Sequence, residues 1–169
     1  MDWNQLPERF PALRNMTYLN TAATGLMPKE VLGQMQLHYG AYLEGGSRAF
    51  PQLMEKVQEV RALAATLINA SPFEVAFVPS VAIGMQHLAR MFRHLNTVAA
   101  LSDDFPTVRS AWELNGFSMV NFQADANGVI PFEAIEGATA DVLVLSHVQW
   151  HTGFRADVSR LAEMCRARG

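Results

Sequence analysis

Phe77-Val78-Pro79-Ser80-Val81-Ala82-Ile83-Gly84-Met85 passes from an apolar run, through a turn, into a helical pattern. That joint, strand to turn to helix, is the repeating unit of α/β proteins. A helix start leaves N–H groups unpaired at the positive end of a dipole, so an anion such as phosphate can rest on Ser80, Val81 and Ala82. Ser80 is equally a favoured helix cap, and this stretch alone leaves both roles open.

The same rhythm continues beyond it. Short apolar runs predict strands at 75–78, 98–101, 118–122 and 142–146. Helical patterns fall near 83–93, 107–115 and 132–135, with a last one at 158–168. The alternation predicts an α/β fold with a mainly parallel sheet and covering helices, whose ligands sit at the carboxyl ends of the strands. Toward the N-terminus two helices come first. Pro28 suits a helix start, and Val31, Met35, Leu37 and Tyr42 follow before Gly45-Gly46 ends the run. The second begins near Pro51, and Leu53, Met54, Val57, Val60, Ala64, Leu67 and Ile68 form a stripe expected to pack. Two segments result: an N-terminal segment with helices over 1–70, and α/β structure over 71–169.

Two further strand ends carry polar side chains. In Ser102-Asp103-Asp104-Phe105-Pro106-Thr107 an aromatic ring stands before a proline and a helix, so Phe105 is either a stacking platform or a core residue. The neighbouring Asp103 and Asp104 are expected to cap that helix rather than act as acid and base. In Ser146-His147-Val148-Gln149-Trp150-His151-Thr152-Gly153-Phe154-Arg155 an apolar strand ends in hydrogen-bonding groups. His147 and His151 have the spacing of helical ligands but fall at a strand end, with no thiolate or third ligand beside them, so no metal is expected. No residue of the chain is assigned a catalytic role. Cys165, the single cysteine, falls on the pattern Val158, Leu161, Ala162, Cys165 and is expected to be buried.

Of the 169 residues, 50% are hydrophobic and 17% charged, which excludes a disordered chain. A net charge of −3 gives no footprint for nucleic acid, and no apolar stretch approaches the length of a membrane span. Met1-Asp2-Trp3-Asn4 lacks the layout of a signal peptide, so a cytoplasmic chain is expected. A nucleotide-binding enzyme is disfavoured, because the turn after Val78 has neither Gly-x-Gly-x-x-Gly nor Gly-Lys-Ser/Thr.

Taken in order, these segments resemble the class V aminotransferases, cysteine desulfurases and kynureninase-like enzymes, which use pyridoxal 5'-phosphate on the aspartate aminotransferase fold (fold type I). Tyr18-Leu19-Asn20-Thr21-Ala22-Ala23-Thr24-Gly25 is similar to the family's opening strand and loop, Val78 to Gly84 to its phosphate-gripping turn, Asp104-Phe105-Pro106 to the segment covering the cofactor, and His147 to Gly153 to the next strand end. The resemblance implies that Ser80, Val81 and Ala82 hold the phosphate, Phe105 stacks on the pyridine ring, and Gln149 lies near the ring oxygen. Ser80-Val81-Ala82 and Phe105 depart from the usual desulfurase residues, as does Gln149 or Trp150 where the family has an asparagine near the ring, favouring an aminotransferase-like or kynureninase-like branch.

The resemblance also implies what lies beyond residue 169: the aspartate beside the pyridine nitrogen and the Schiff-base lysine. Lys29 and Lys56, the only lysines, fall in the early helices. The chain is therefore expected to be an N-terminal fragment of the cofactor domain, inactive alone, of a homodimeric enzyme with an amino-acid substrate. The alternative is a natural non-catalytic protein that uses the partial sheet for binding or assembly.

Overall fold

A computed structural model describes residues 3–168, so positions 1, 2 and 169 of the two expected segments lie outside the described residues. The chain divides into two compact units between Ala76 and Phe77.

The first unit is helical. After a short α1 (Leu6–Arg9) come α2 (Lys29–Gly45), which starts after Pro28 and ends at Gly45 as expected, and α3 (Phe50–Leu67), which starts near Pro51 as expected. Packing differs from expectation. No residue of α2 is buried and α3 buries only Ala65, so the stripe of α3 stays largely open, with Val60, Leu67 and Ile68 exposed. Among its described residues this unit holds no sheet to receive that stripe. The opening strand expected near Tyr18 does not form either. Residues 16–20 are unpaired, and the Tyr18 hydroxyl donates to the Thr24 carbonyl at 2.7 Å to close the following turn.

In the second unit α4 (Val81–Met91), β1 (Thr97–Leu101), α5 (Pro106–Leu114), β2 (Ser118–Phe122), α6 (Phe132–Gly137), β3 (Val142–Val144) and α7 (Val158–Arg168) alternate as expected. The strands form a parallel sheet in the order β2-β1-β3, with Ala99 opposite both Val120 and Leu143. β1 is central and buried from Val98 on, which explains its unbroken apolar run Val98-Ala99-Ala100-Leu101. Alternate residues of β1 face opposite layers. Val98 and Ala100 join Ala89, Val108, Ala111 and Trp112 under α4 and α5, whereas Ala99 and Leu101 join Ile135 and Leu161 under α6 and α7.

Three sequence expectations are corrected here. Residues 75–78 form no strand; a strand exists only with a neighbour, and no strand among the described residues pairs with this stretch. β3 stops at Val144 instead of running to 146, because Ser146 turns its N–H to a side chain rather than to β1. Cys165 is exposed, not buried. Leu161 takes the inward position of α7, and one turn later the helix overhangs the short edge strand, so Cys165 borders an open groove of about 390 Å³ with Ala138, Leu143 and Met164.

Candidate functional site at the strand ends

A five-residue β1 spans about 17 Å, and the 11-residue α4 that precedes it spans about the same length. Since α4 packs on the face of β1 and joins it through a short loop, it runs antiparallel to the strand. Its first turn consequently lies at the carboxyl end of the sheet. There Ser80 caps α4: its Oγ accepts from the Ile83 N–H at 3.3 Å, with the backbone extended at φ −161° and ψ 163°. The N–H groups of Val81 and Ala82 have no hydrogen-bond partner among the described residues, and Val81 is exposed. Capping and anion binding are thus compatible here, because the cap consumes a different N–H.

The end of β1 is built around Asp104. This carboxylate is 4% exposed, and its Oδ1 accepts from the Phe105 N–H at 2.7 Å and the Ser146 hydroxyl at 2.6 Å. Its Oδ2 accepts from the Ser146 N–H at 2.9 Å and the Gln149 side-chain amide at 3.4 Å. Converging donors offset the cost of burying a carboxylate. The expected capping role is corrected: the Asp104 side chain does not satisfy the first turn of α5 but ties the end of β1 to the segment after β3. Residue spacing could not reveal this, since Ser146 is 42 positions away.

Gln149 is buried, at 4% exposure, and both donors of its amide are engaged, on Asp104 Oδ2 and on the Ser146 carbonyl at 3.2 Å. It opens a hairpin closed by Gln149 N–H to Phe154 O at 2.8 Å and Gly153 N–H to Gln149 O at 2.9 Å. Trp150 projects from that hairpin, 58% exposed, donates its ring N–H to the Asp103 carbonyl at 3.3 Å, and meets the Phe105 ring edge-on, 5.9 Å between centroids. Phe105 is 45% exposed and is therefore not a core residue; its ring keeps open surface.

Phe105 and Gln149 are thereby brought into one cluster through Trp150 and through Asp104, which the sequence reading took for a helix cap. The signal in the sequence was only an acid just after one apolar run and a serine just after another. Ser80, Val81 and Ala82 share this end of the sheet, but the hydrogen bonds of Ser80 stay within its own turn. A hollow of about 420 Å³ beside the cluster is bordered by Leu101, Asp103, Asp125, Gln149, His151 and Thr152. No lysine or arginine borders it. Arg155 lies on the returning limb of the hairpin, exposed and bridged to Val148. Among the described residues no group of three or more His, Cys, Asp or Glu side chains is arranged to hold a metal.

The family model for Aminotransferase class-V matches residues 17–169. The chain belongs to the class V aminotransferases. It is 30% identical to the uncharacterized aminotransferase YcbU of Bacillus subtilis (strain 168) over 97% of this chain and 46% of that protein. It is 27% identical to the cysteine desulfurase IscS of Shewanella frigidimarina (strain NCIMB 400), over 90% of this chain and 42% of that protein. Its fold matches the apo cysteine desulfurase of Thermococcus onnurineus NA1 with a TM-score of 0.85 at 19% identity, over 99% of this chain and 46% of that one. This class V chain therefore has the α/β architecture expected for fold type I and spans less than half the length of the relatives it matches. Enzymes of the family depend on pyridoxal phosphate in general. Among the described residues no helix is long and apolar enough to cross a membrane.

Two features of this chain fit that cofactor. The unpartnered N–H groups at the start of α4 suit its phosphate, and the open Phe105 ring suits its pyridine. Gln149 does not offer a donor as it stands, because both amide protons are engaged.

Proposed function

We propose that this chain is the cofactor-holding segment of a pyridoxal-phosphate enzyme that acts on an amino acid, with the covalent anchor lysine supplied by polypeptide outside these 169 residues. In this reading the whole enzyme is a cytoplasmic homodimer, and the segment is inactive alone. The observation that carries it is the Phe105 ring, held at its backbone by Asp104 and at its edge by Trp150, with its remaining surface open at the same sheet end as the α4 start.

When bound, pyridoxal phosphate supplies an electron sink for charge developing at the substrate's α-carbon. The N–H groups of Val81 and Ala82 would bind its phosphate, reinforced by the α4 dipole, while Ser80 keeps that turn rigid through its cap. Phe105 would orient the ring, and Trp150 would limit its lateral movement and shield that side from water. Lys29 and Lys56 take no part. Both lie in the first unit, on α2 and α3, and Lys56 is paired with Glu59 at 2.6 Å.

The test is titration of the purified chain with pyridoxal 5'-phosphate, followed by tryptophan fluorescence. Saturable binding should appear and weaken about tenfold in Phe105→Ala, the loss of one stacking contact of about 1–3 kcal/mol. Borohydride reduction should label neither Lys29 nor Lys56 stoichiometrically. Unchanged affinity in Phe105→Ala, or full labelling of one lysine, would refute the assignment. A non-catalytic assembly role draws instead on the exposed apolar residues of α2, among them Val31, Met35 and Leu43. Self-association without any cofactor binding would favour it.

A further inference from the structure

Two asparagines of this chain precede a glycine, Asn115 before Gly116 and Asn127 before Gly128. Such a pair is prone to modify itself, because glycine has no Cβ to keep its backbone nitrogen from the side-chain carbon of the asparagine. Both glycines hold positive φ, +86° at Gly116 and +76° at Gly128. Each N–H is also engaged alike, Gly116 on the Glu113 carbonyl at 3.1 Å and Gly128 on the Asp125 carbonyl at 3.0 Å. The side chains differ. Asn115 Nδ2 donates to the Ala111 carbonyl at 2.6 Å and to Gln86 Oε1 at 2.8 Å, so its amide is clamped at the end of α5. Asn127 is exposed, and its side chain makes no hydrogen bond among the described residues. It borders the hollow of about 420 Å³, where water reaches it.

We propose that Asn127 is a site of spontaneous modification to aspartate and iso-aspartate, that Asn115 is protected from it, and that the iso-aspartyl product releases the 149–153 hairpin. In the first step the Gly128 nitrogen gives its proton to solvent and bonds to Asn127 Cγ. The Cγ–Nδ2 bond breaks, and the amide nitrogen leaves as ammonia with a proton returned from solvent. One water then opens the resulting cyclic imide at either carbonyl, giving aspartate or, with the chain routed through Cβ, iso-aspartate. Nothing is oxidised or reduced, and water is the only co-reactant.

The turn that holds Asn127 is closed tightly. Asp125 Oδ1 accepts from the Asn127 and Val129 N–H groups, both at 2.9 Å, and the Asp125 N–H donates to the Val129 carbonyl at 2.8 Å. An extra backbone carbon between residues 125 and 129 breaks that closure. The new carboxylate also adds negative charge to a hollow already bordered by Asp103 and Asp125 and by no lysine or arginine. Gly128 passes the shift on, since it lies so close to Thr152 that a Cβ there would stand 2.5 Å from Thr152 Cγ2. Thr152 belongs to the hairpin that carries Gln149 and Trp150, and none of this depends on cofactor binding.

The experiment ages the intact chain in mildly alkaline buffer. Peptide mapping by mass spectrometry, with fragmentation that separates aspartate from iso-aspartate, follows both asparagines, and hydrogen exchange of the Gln149 and Gly153 N–H groups reads the hairpin. Asn127 should convert about tenfold faster than Asn115, which has two hydrogen bonds to give up first. In urea the two rates should draw together. As iso-aspartate accumulates, Gln149 and Gly153 should lose their protection, whereas Asn127→Asp, which adds the charge without the extra backbone atom, should keep most of it. Equal rates at 115 and 127 in the folded chain, or a ratio unchanged by urea, would overturn the assignment of the site. Hairpin N–H groups still protected once Asn127 has become iso-aspartate, or equally unprotected in Asn127→Asp, would overturn its effect.

Discussion

Replacing Gly128 by alanine puts a Cβ 2.5 Å from Thr152 Cγ2 and 2.9 Å from Thr152 Cβ. Rotating the threonine moves Cγ2 but leaves Cβ where it is, so the 149–153 hairpin has to shift. Gly128 also closes a turn in which Asp125 Oδ1 accepts from the Asn127 and Val129 N–H groups, and it holds φ at +76°, where a side chain costs roughly 1–2 kcal/mol. Overpacking adds roughly 1–3 kcal/mol, so Gly128→Ala should destabilise the chain by about 2–5 kcal/mol in all. Gly116 separates the two effects. It sits at φ +86° with nothing within 4 Å of an added Cβ, so Gly116→Ala carries only the backbone cost of about 1–2 kcal/mol. The assay is urea denaturation read by tryptophan fluorescence, with Thr152→Gly completing a double-mutant cycle. The steric part should appear as coupling between 128 and 152 of about 1–3 kcal/mol. A Gly128→Ala variant no less stable than Gly116→Ala, with no coupling to position 152, would refute the reasoning.

Asp141 is the group whose ionisation is most clearly displaced. The Asn96 N–H, the Thr97 N–H and the Thr97 hydroxyl all donate to it, and they hold its carboxyl below the ordinary carboxylate value. Because the folded value is the lower one, its contribution is whole above pH about 4 and is lost as pH falls through the folded value; Asp141→Asn should flatten the acid limb of a stability–pH profile. Trp112→Ala should cost about 3–5 kcal/mol in chemical denaturation, whereas Trp112→Phe should cost much less, since the buried and unpaired ring N–H leaves with the indole. In Trp150→Phe the bond to the Asp103 carbonyl is lost but the contact with Phe105 is kept, so pyridoxal phosphate affinity should fall by less than in Phe105→Ala, as a parallel titration would measure.

The parts of the fold that were legible from residues alone are those governed by local pattern and burial. β1 reads as a strand because its alternate residues face two apolar layers, and α5 is announced by Pro106 at its first position. Residues 75–78 have a similar composition, yet pairing is a property of two segments and no periodicity supplies the second. For the same reason Cys165 was misplaced, because the helical stripe marks a face of α7 but not how far the sheet beneath it extends. At the site, Phe105 was singled out as a ring at a strand end and Gln149 through the family resemblance. Asp104 was not, since a carboxylate next to a helix start is ordinarily a cap, and only the fold brings Ser146 and Gln149 to it.

That difference bears on how the site divides its work. The groups open to a ligand, the first N–H groups of α4 and the Phe105 ring, sit where any parallel α/β sheet would present them, at strand ends and helix starts. One layer behind them a buried acid joins two strand ends, sets the backbone of Phe105 and takes one donor of Gln149, the other going to the Ser146 carbonyl. Removing an exposed group should lower affinity for every pyridoxal ester alike. Altering Asp104 should instead loosen the joint between the two strand ends and the backbone of Phe105, because it removes acceptors that hold Ser146 and Phe105 in place.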